Sequence, residues 1–240
     1  MNKLINRFYI KAILVLFFSI MSLRNYGQQT ILNHYGLHVI ASKAEYLRSV
    51  SKDPAKEMVD IKAIIPRIVF DLRYTGKNNF TKTKLYPSLK TSYLRTRVAN
   101  DLLKVQTELM KEGLGLKIFD AYRPYSVTEK MWVLVNDDRY AADPKNGSGH
   151  NRGIAVDLTL INIKTKEAVD MGTDFDNFSD TAHQNFMALP EKVLQKRILL
   201  KELMEKNGFK SLATEWWHYS FIDGTSYELM DIDFKDFQKR

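Results

Sequence analysis

The 240-residue chain has no cysteine, which excludes a disulfide framework, a thiolate metal centre and a cysteine nucleophile together. Any metal must therefore be held by histidine, aspartate or glutamate. Proline and glycine are sparse, at 6 and 11 residues. They form no long linker, and there is no internal repeat or low-complexity tract, so nothing marks a seam between domains. No arginine-rich tract or basic helix with interleaved aromatics is present, which argues against nucleic acid as a partner. Long apolar runs are missing too, with one exception.

That exception is the run 12–23, interrupted only by serines and preceded by Lys3, Arg7 and Lys11. It is short for a bilayer-spanning helix, which needs about 20 apolar residues. A basic start, a compact apolar centre and Gly27 near its end fit a secretory signal peptide over residues 1–27, with an uncleaved anchor as the competing reading. Both readings put the working part outside the cytoplasm, periplasmic or secreted, and cleavage leaves no stable membrane span. Losing residues 1–27 removes Lys3, Arg7, Lys11 and Arg24 and no acid, so the formal charge of +8 falls by these four to +4. The remainder suits one domain, long enough to bury a sizeable core.

Residues 28–60 are polar and mixed and are expected to form an N-terminal extension, with one domain over 61–240. The segment IKAIIPRIVFDLRY at 61–74 is rich in β-branched residues, and Pro66 argues for an edge or a break. Leu94, Val98, Leu102, Val105 and Leu109 predict a helix over 93–112, ended by Gly113. LKIFD at 116–120 reads as a strand, and Pro124 opens a helix anchored by Met131, Trp132 and Val135. GIAVDLTLINI at 153–163 alternates with period two, and AVDMG can pair back on it as a hairpin. Pro190 starts a second long helix, with apolar positions at Val193, Leu194, Ile198 to Leu200, Leu203 and Met204, closed by Gly208. EWWHYSFI at 215–222 is aromatic and β-prone. Helices and strands mix without regular βαβ alternation, so the expected class is α+β, a single compact domain with a central antiparallel sheet packed by helices.

Of five histidines, His150 stands out because Asp157 follows it along the strand, and His218 because it shares an aromatic segment with Glu215, where an unpaired carboxylate is costly. Two imidazoles and a carboxylate are a common zinc set, with a fourth position open to water. His150, Asp157 and His218 would supply the ligands and Glu215 the base. A regular strand points residues 215 and 218 to opposite faces, so this scheme requires a bulge or a strand end there. The spacing equally allows a buried salt bridge from Asp157 to Arg123 or Arg152, with structural histidines.

SGHNRGIAVDLTL at 148–160 resembles the S-x-H-x-x-G-x-A-x-D signature of the peptidase family M15 zinc peptidases. EWWHY resembles the Glu/His signature of that family's D-alanyl-D-alanine dipeptidase branch. DAYRP at 120–124 is similar to its D-G-Y-R-P, with Ala121 in place of glycine. DLRYTGKNNFT at 71–81 and MGTDFDNFSD at 171–180 also resemble family segments, all in the family's order.

The resemblance implies a compact α+β fold of the Hedgehog/DD-peptidase kind and one zinc per chain, bound by His150, Asp157 and His218. It makes Glu215 the catalytic acid/base and Arg123 the oxyanion stabiliser, with Asp176 meeting the substrate's free amino group and Ser148 in substrate binding. The implied activity is hydrolysis of the small dipeptide D-alanyl-D-alanine. Its rivals are D,D-carboxypeptidase or endopeptidase action on longer wall peptides, and a wall-binding module that keeps zinc without catalysis. Family dipeptidases are mostly regarded as cytoplasmic, and this chain departs from them in its export signal. Mass spectrometry of protein recovered outside the cytoplasm should give an N-terminus near Gln28; an intact Met1 on a soluble cytoplasmic protein contradicts the signal peptide.

Overall fold

The structure is a computed structural model and describes residues 32–238; the expected signal peptide lies outside them. In chain order the strands are β1 (Val39–Ile40), β2 (Met58–Asp60), β3 (Val69–Phe70), β4 (Tyr93–Arg95), β5 (Leu114–Asp120), β6 (Ala155–Asn162), β7 (Phe209–Leu212), β8 (Glu215–Phe221) and β9 (Leu229–Met230). The helices are α1 (Lys43–Lys52), α2 (Ile61–Ile64), α3 (Thr96–Lys111), α4 (Tyr125–Val135) and α5 (Glu191–Lys206). Among the described residues no helix is long and apolar enough to cross a membrane.

The class is α+β, as expected. Five strands form one sheet in the order β3-β5-β6-β8-β7. The pairs β5–β6, β6–β8 and β8–β7 are antiparallel. The edge strand β3 joins β5 in parallel over two residues, because the chain crosses over through β4 and α3 before returning. In β6 every residue but Asn162 is buried, so its alternation separates two covered faces rather than core from solvent. α3 packs Val98, Leu102, Val105 and Leu109 inward, and Gly113 at φ 70° ends it in a backbone region that only glycine adopts freely.

Several local expectations are corrected. Most of the β-branched run at 61–74 is not strand: Ile61–Ile64 is a helical turn whose first amides are capped by Asp60, Pro66 breaks the chain, and only Val69–Phe70 pairs. Leu94 belongs to β4, opposite Val59, so the helix starts at Thr96. AVDMG pairs back only through a single bridge, Ile161 to Ala168. Along α5 the buried stripe is Val193, Arg197, Leu200 and Met204, whereas Ile198 is 49% exposed. From Asn33 onward the expected extension contributes α1, β1 and β2, and Tyr46 packs edge-on against Phe237 at 5.2 Å.

Leu102 is fully buried, so Leu102→Ala should cost about 2–5 kcal/mol by urea unfolding. Ile198→Ala should stay within about 0.5 kcal/mol. Equal losses would contradict this assignment of faces.

Candidate active site

One rung of the sheet organises the site. Asp120 on β5 lies opposite Asp157 on β6, and Asp157 lies opposite His218 on β8. A register irregularity between Ile118 and Asp120 brings Asp120 rather than Phe119 to this rung, since a one-residue shift exchanges faces. On its other edge β8 pairs Tyr219 with Ser211 but Glu215 with Leu212. Residues 216–218 therefore bulge against adjacent residues of β7, and Glu215 and His218 face the same cavity. The bulge required by the spacing is present.

His150 sits in a short 3-10 turn just before β6 and is only 2% exposed. Its Nδ1 is 2.7 Å from Ala121 O, so Nδ1 carries the hydrogen and Nε2 turns a lone pair into the cavity. That Nε2 is 3.3 Å from His218 Nδ1 and 3.4 Å from Asp157 Oδ2, and His218 Nδ1 is 2.9 Å from Asp157 Oδ1. Giving its Nε2–H to Ser220 Oγ at 3.1 Å leaves His218 Nδ1 free to turn a lone pair inward toward a metal. One ligand atom from each of the three residues lies within 4.8 Å of the others. Three electron-pair donors aimed at one point repel unless protons or a metal cation stand between them, so this set fits a divalent metal. Burial holds His218 below the ordinary imidazole pKa, in the neutral form that ligation needs. Burial works to raise Asp157, but in the metal-free protein the charge and N–H hydrogen bonds of His150 and His218 outweigh it and hold the carboxylate below its usual range.

Arg123 is aimed by Asp120. Its Nε and Nη2 reach Asp120 Oδ2 at 3.0 and 2.9 Å, and Nη2 is 3.8 Å from Asp157 Oδ2. Burial opposes the charged guanidinium, yet Asp120 and the neighbouring tyrosines raise its pKa well above the ordinary value. Asp120 is fully buried and also accepts from Tyr86 Oη and the Ala121 amide. Asn151 completes the brace by donating to Arg123 O at 2.9 Å. Ala121 is completely buried and absent from the positive-φ residues, so alanine replaces the family's glycine without strain.

Asp176 stands on the far wall. It adopts φ 60°, a left-handed conformation that aspartate tolerates, and accepts from Tyr74 Oη at 3.1 Å. Burial and the Asp157 charge push its pKa up to about 7. Glu215 Oε2 is 3.9 Å from His218 Nδ1, and burial, followed by Asp157 and Asp176, raises its pKa well above the carboxylate range. Ser148 lines the cavity and accepts from the His150 amide at 3.2 Å. All seven expected site residues line one cavity of about 240 Å³. Asp120, Tyr74, Tyr86 and Asn151 were not singled out from sequence. For Tyr74, Asp120 and Asn151 the signal lay in the motif segments themselves, because each carries a buried polar group that must find a partner; Tyr86 lies outside those segments.

A family model described as peptidase M15, D-ala-D-ala dipeptidase, matches residues 54–240. The chain belongs to peptidase family M15. It is 32% identical over 181 residues to the D-alanyl-D-alanine dipeptidase of Escherichia coli strain K12, covering 75% of this chain and 93% of that protein. It is 30% identical to the Enterococcus faecalis D-alanyl-D-alanine dipeptidase, covering 64% of this chain and 86% of that one. Among solved structures, a Zn(II) complex of the vancomycin-resistance D,D-pentapeptidase VanY is 13% identical, with a TM-score of 0.36 over 56% of this chain and 76% of that one. As a member of M15 the protein is a metallopeptidase.

The raised Asp176 pKa gives the metal-free protein a defined pH dependence. A carboxyl whose folded pKa is about 7 and whose unfolded pKa is about 4 binds more protons when folded, so its contribution to stability falls as pH rises from about 4 to about 7. In chelator, the stability of wild type relative to Asp176→Asn should decline across that window and level off above it. A difference that stays flat from pH 4 to 8 in urea titrations would overturn the assignment.

Proposed function

We propose that the protein is an exported zinc dipeptidase that hydrolyses D-alanyl-D-alanine to two D-alanines in peptidoglycan metabolism, with one zinc per chain. The observation that carries this reading is the convergence of three inward lone pairs with Glu215, Arg123 and Asp176 on one small cavity. Export rests on the character of residues 1–27, and the substrate on the named activity of the relatives.

His150, Asp157 and His218 would hold the zinc, which supplies Lewis acidity toward the scissile carbonyl and makes a bound water more acidic. Glu215 takes a proton from the attacking water and passes it to the leaving amine, a role matched to a carboxyl whose pKa lies above the ordinary range. Arg123, held rigid by Asp120, donates hydrogen bonds to the oxygen on which negative charge builds. Asp176 pairs with the substrate's ammonium, which supplies the opposite charge that this raised carboxyl lacks in the free protein. Ser148 contributes to the wall against which the dipeptide lies. A free dipeptide satisfies Asp176, whereas an acylated amine leaves it unpaired, which favours the dipeptidase over the carboxypeptidase or endopeptidase. A non-catalytic zinc module needs neither Glu215 nor Arg123.

Zinc-loaded enzyme should cleave D-Ala-D-Ala and leave its N-acetylated form intact; cleavage of the acetylated peptide would favour the carboxypeptidase. His218→Ala should lose most of its zinc. Glu215→Gln should keep its zinc by metal analysis while kcat falls by about 10²–10⁴. Metal loss or near-normal turnover in Glu215→Gln would show that its role is misassigned.

A further inference from the structure

The loop from Met171 to His183 carries Asp176, yet residues 171–179 form neither helix nor strand. Both ends of this loop are held by one side chain on α5. Arg197 is 4% exposed; its Nε donates to Met171 O at 2.7 Å, and its Nη1 to Thr181 O at 3.0 Å and His183 O at 3.2 Å. A planar fork is suited to gripping two separate chain segments at once. The same loop is pressed onto the start of α5 and the residues just before it at Gly172, where a β carbon would meet Leu189 at 2.9 Å and Val193 at 3.1 Å. It is tied to β8 by Trp216 Nε1, which donates to Thr173 Oγ1 at 2.7 Å. The Arg197 guanidinium carbon is 5.8 Å from the centre of the Trp216 ring, so loop, helix and the strand bearing Glu215 and His218 meet at this one cation.

Filling space on α5 does not require an arginine. Val193, Leu200 and Met204 flank it on the buried stripe, and an aliphatic residue would complete that stripe. A buried cation with carbonyl hydrogen bonds and, among the described residues, no salt-bridged carboxylate carries a desolvation cost that packing alone does not explain.

We propose that Arg197 is a positioning residue for substrate recognition, clamping the two ends of the Met171–His183 loop so that the Asp176 carboxylate meets the dipeptide's amino group. This rests on the amine-binding role proposed for Asp176. Arg197 touches neither substrate nor metal ligands, so its loss acts on binding rather than on the chemical step.

The test is a double-mutant cycle on the full zinc-loaded protein with D-Ala-D-Ala as substrate. Arg197→Met should raise KM on the order of tenfold with kcat within about twofold, and Arg197→Lys, which keeps the charge, should restore part of the affinity. Asp176→Asn should raise KM by itself, and adding Arg197→Met to it should change little more, because both act through one contact. Hydrogen exchange should quicken in residues 171–183 of Arg197→Met and stay unchanged in β6. An unaltered KM in Arg197→Met beside a raised KM in Asp176→Asn overturns the inference and leaves the amine reading standing. Fully additive effects overturn it as well. An unaltered KM in Asp176→Asn overturns the amine reading, and with it the role given to Arg197. Should Arg197→Met fail to fold, Arg197→Lys carries the comparison, with an intermediate KM supporting the inference and a wild-type KM overturning it.

Discussion

The cross-strand rung Asp120–Asp157–His218 is the constraint on which the site depends. Three adjacent antiparallel strands bring three polar side chains into line, and two of these are carboxylates in the buried interior. Like charges directly opposite each other are unfavourable, so the rung persists only because each carboxylate has its own counter-group. Asp120 is taken up by Arg123, Tyr86 and the Ala121 amide, and Asp157 by the two imidazoles. A slip of one residue in either register would send these groups to the opposite face of the sheet. The irregularities in β5 and β8 are thus the devices that aim the site.

Around the rung, charge sets the chemistry. Asp157, Asp176 and Glu215 line one small cavity with Asp120 directly behind Asp157, while Arg123 is the cation buried among them and Arg139 stands exposed at the rim. The environment then separates these carboxyl groups. Asp157, between two imidazoles, is held below the usual range; burial pushes Asp120 above it even against Arg123, and pushes up Asp176 and Glu215, which have no salt-bridged Lys or Arg among the described residues. A divalent cation at the His-Asp-His cluster would relieve the excess negative charge, and an ammonium bound as proposed would relieve it at Asp176. The same imbalance therefore calls for both metal and substrate.

Much was legible in the chain because local pattern and local structure agree there. The period-two run at 154–161 is a strand, and the stripe through Leu102 is the buried face of α3. The motif residues His150, Asp157, Glu215 and His218 meet in one cavity, as the family resemblance implied and as their spacing alone left open. Where the reading failed, tertiary contacts outweighed propensity. Ile61–Ile64 is helical despite its β-branched residues because Asp60 caps the turn, and Leu94 is drawn into β4 by Val59. Arg197 was passed over because a charge on an amphipathic helix is ordinarily assigned to water. Its place in the 193–197–200–204 spacing was the available signal, and only the three carbonyls that converge on it explain its burial.

By itself the sequence determined the kinds of groups available: no thiol, a His-Asp-His set with a nearby glutamate, an arginine after a strand, and helices and strands that mark an α+β domain. These follow from composition and from periodicities within a few turns of chain. Only the tertiary structure decided which nitrogen of each imidazole faces the cavity, that Asp120 serves Arg123 rather than a metal, and that α5 holds the loop of Asp176. Those outcomes depend on strand register, on bulges and on contacts between residues far apart in the chain, and no short-range pattern encodes the distance across a sheet.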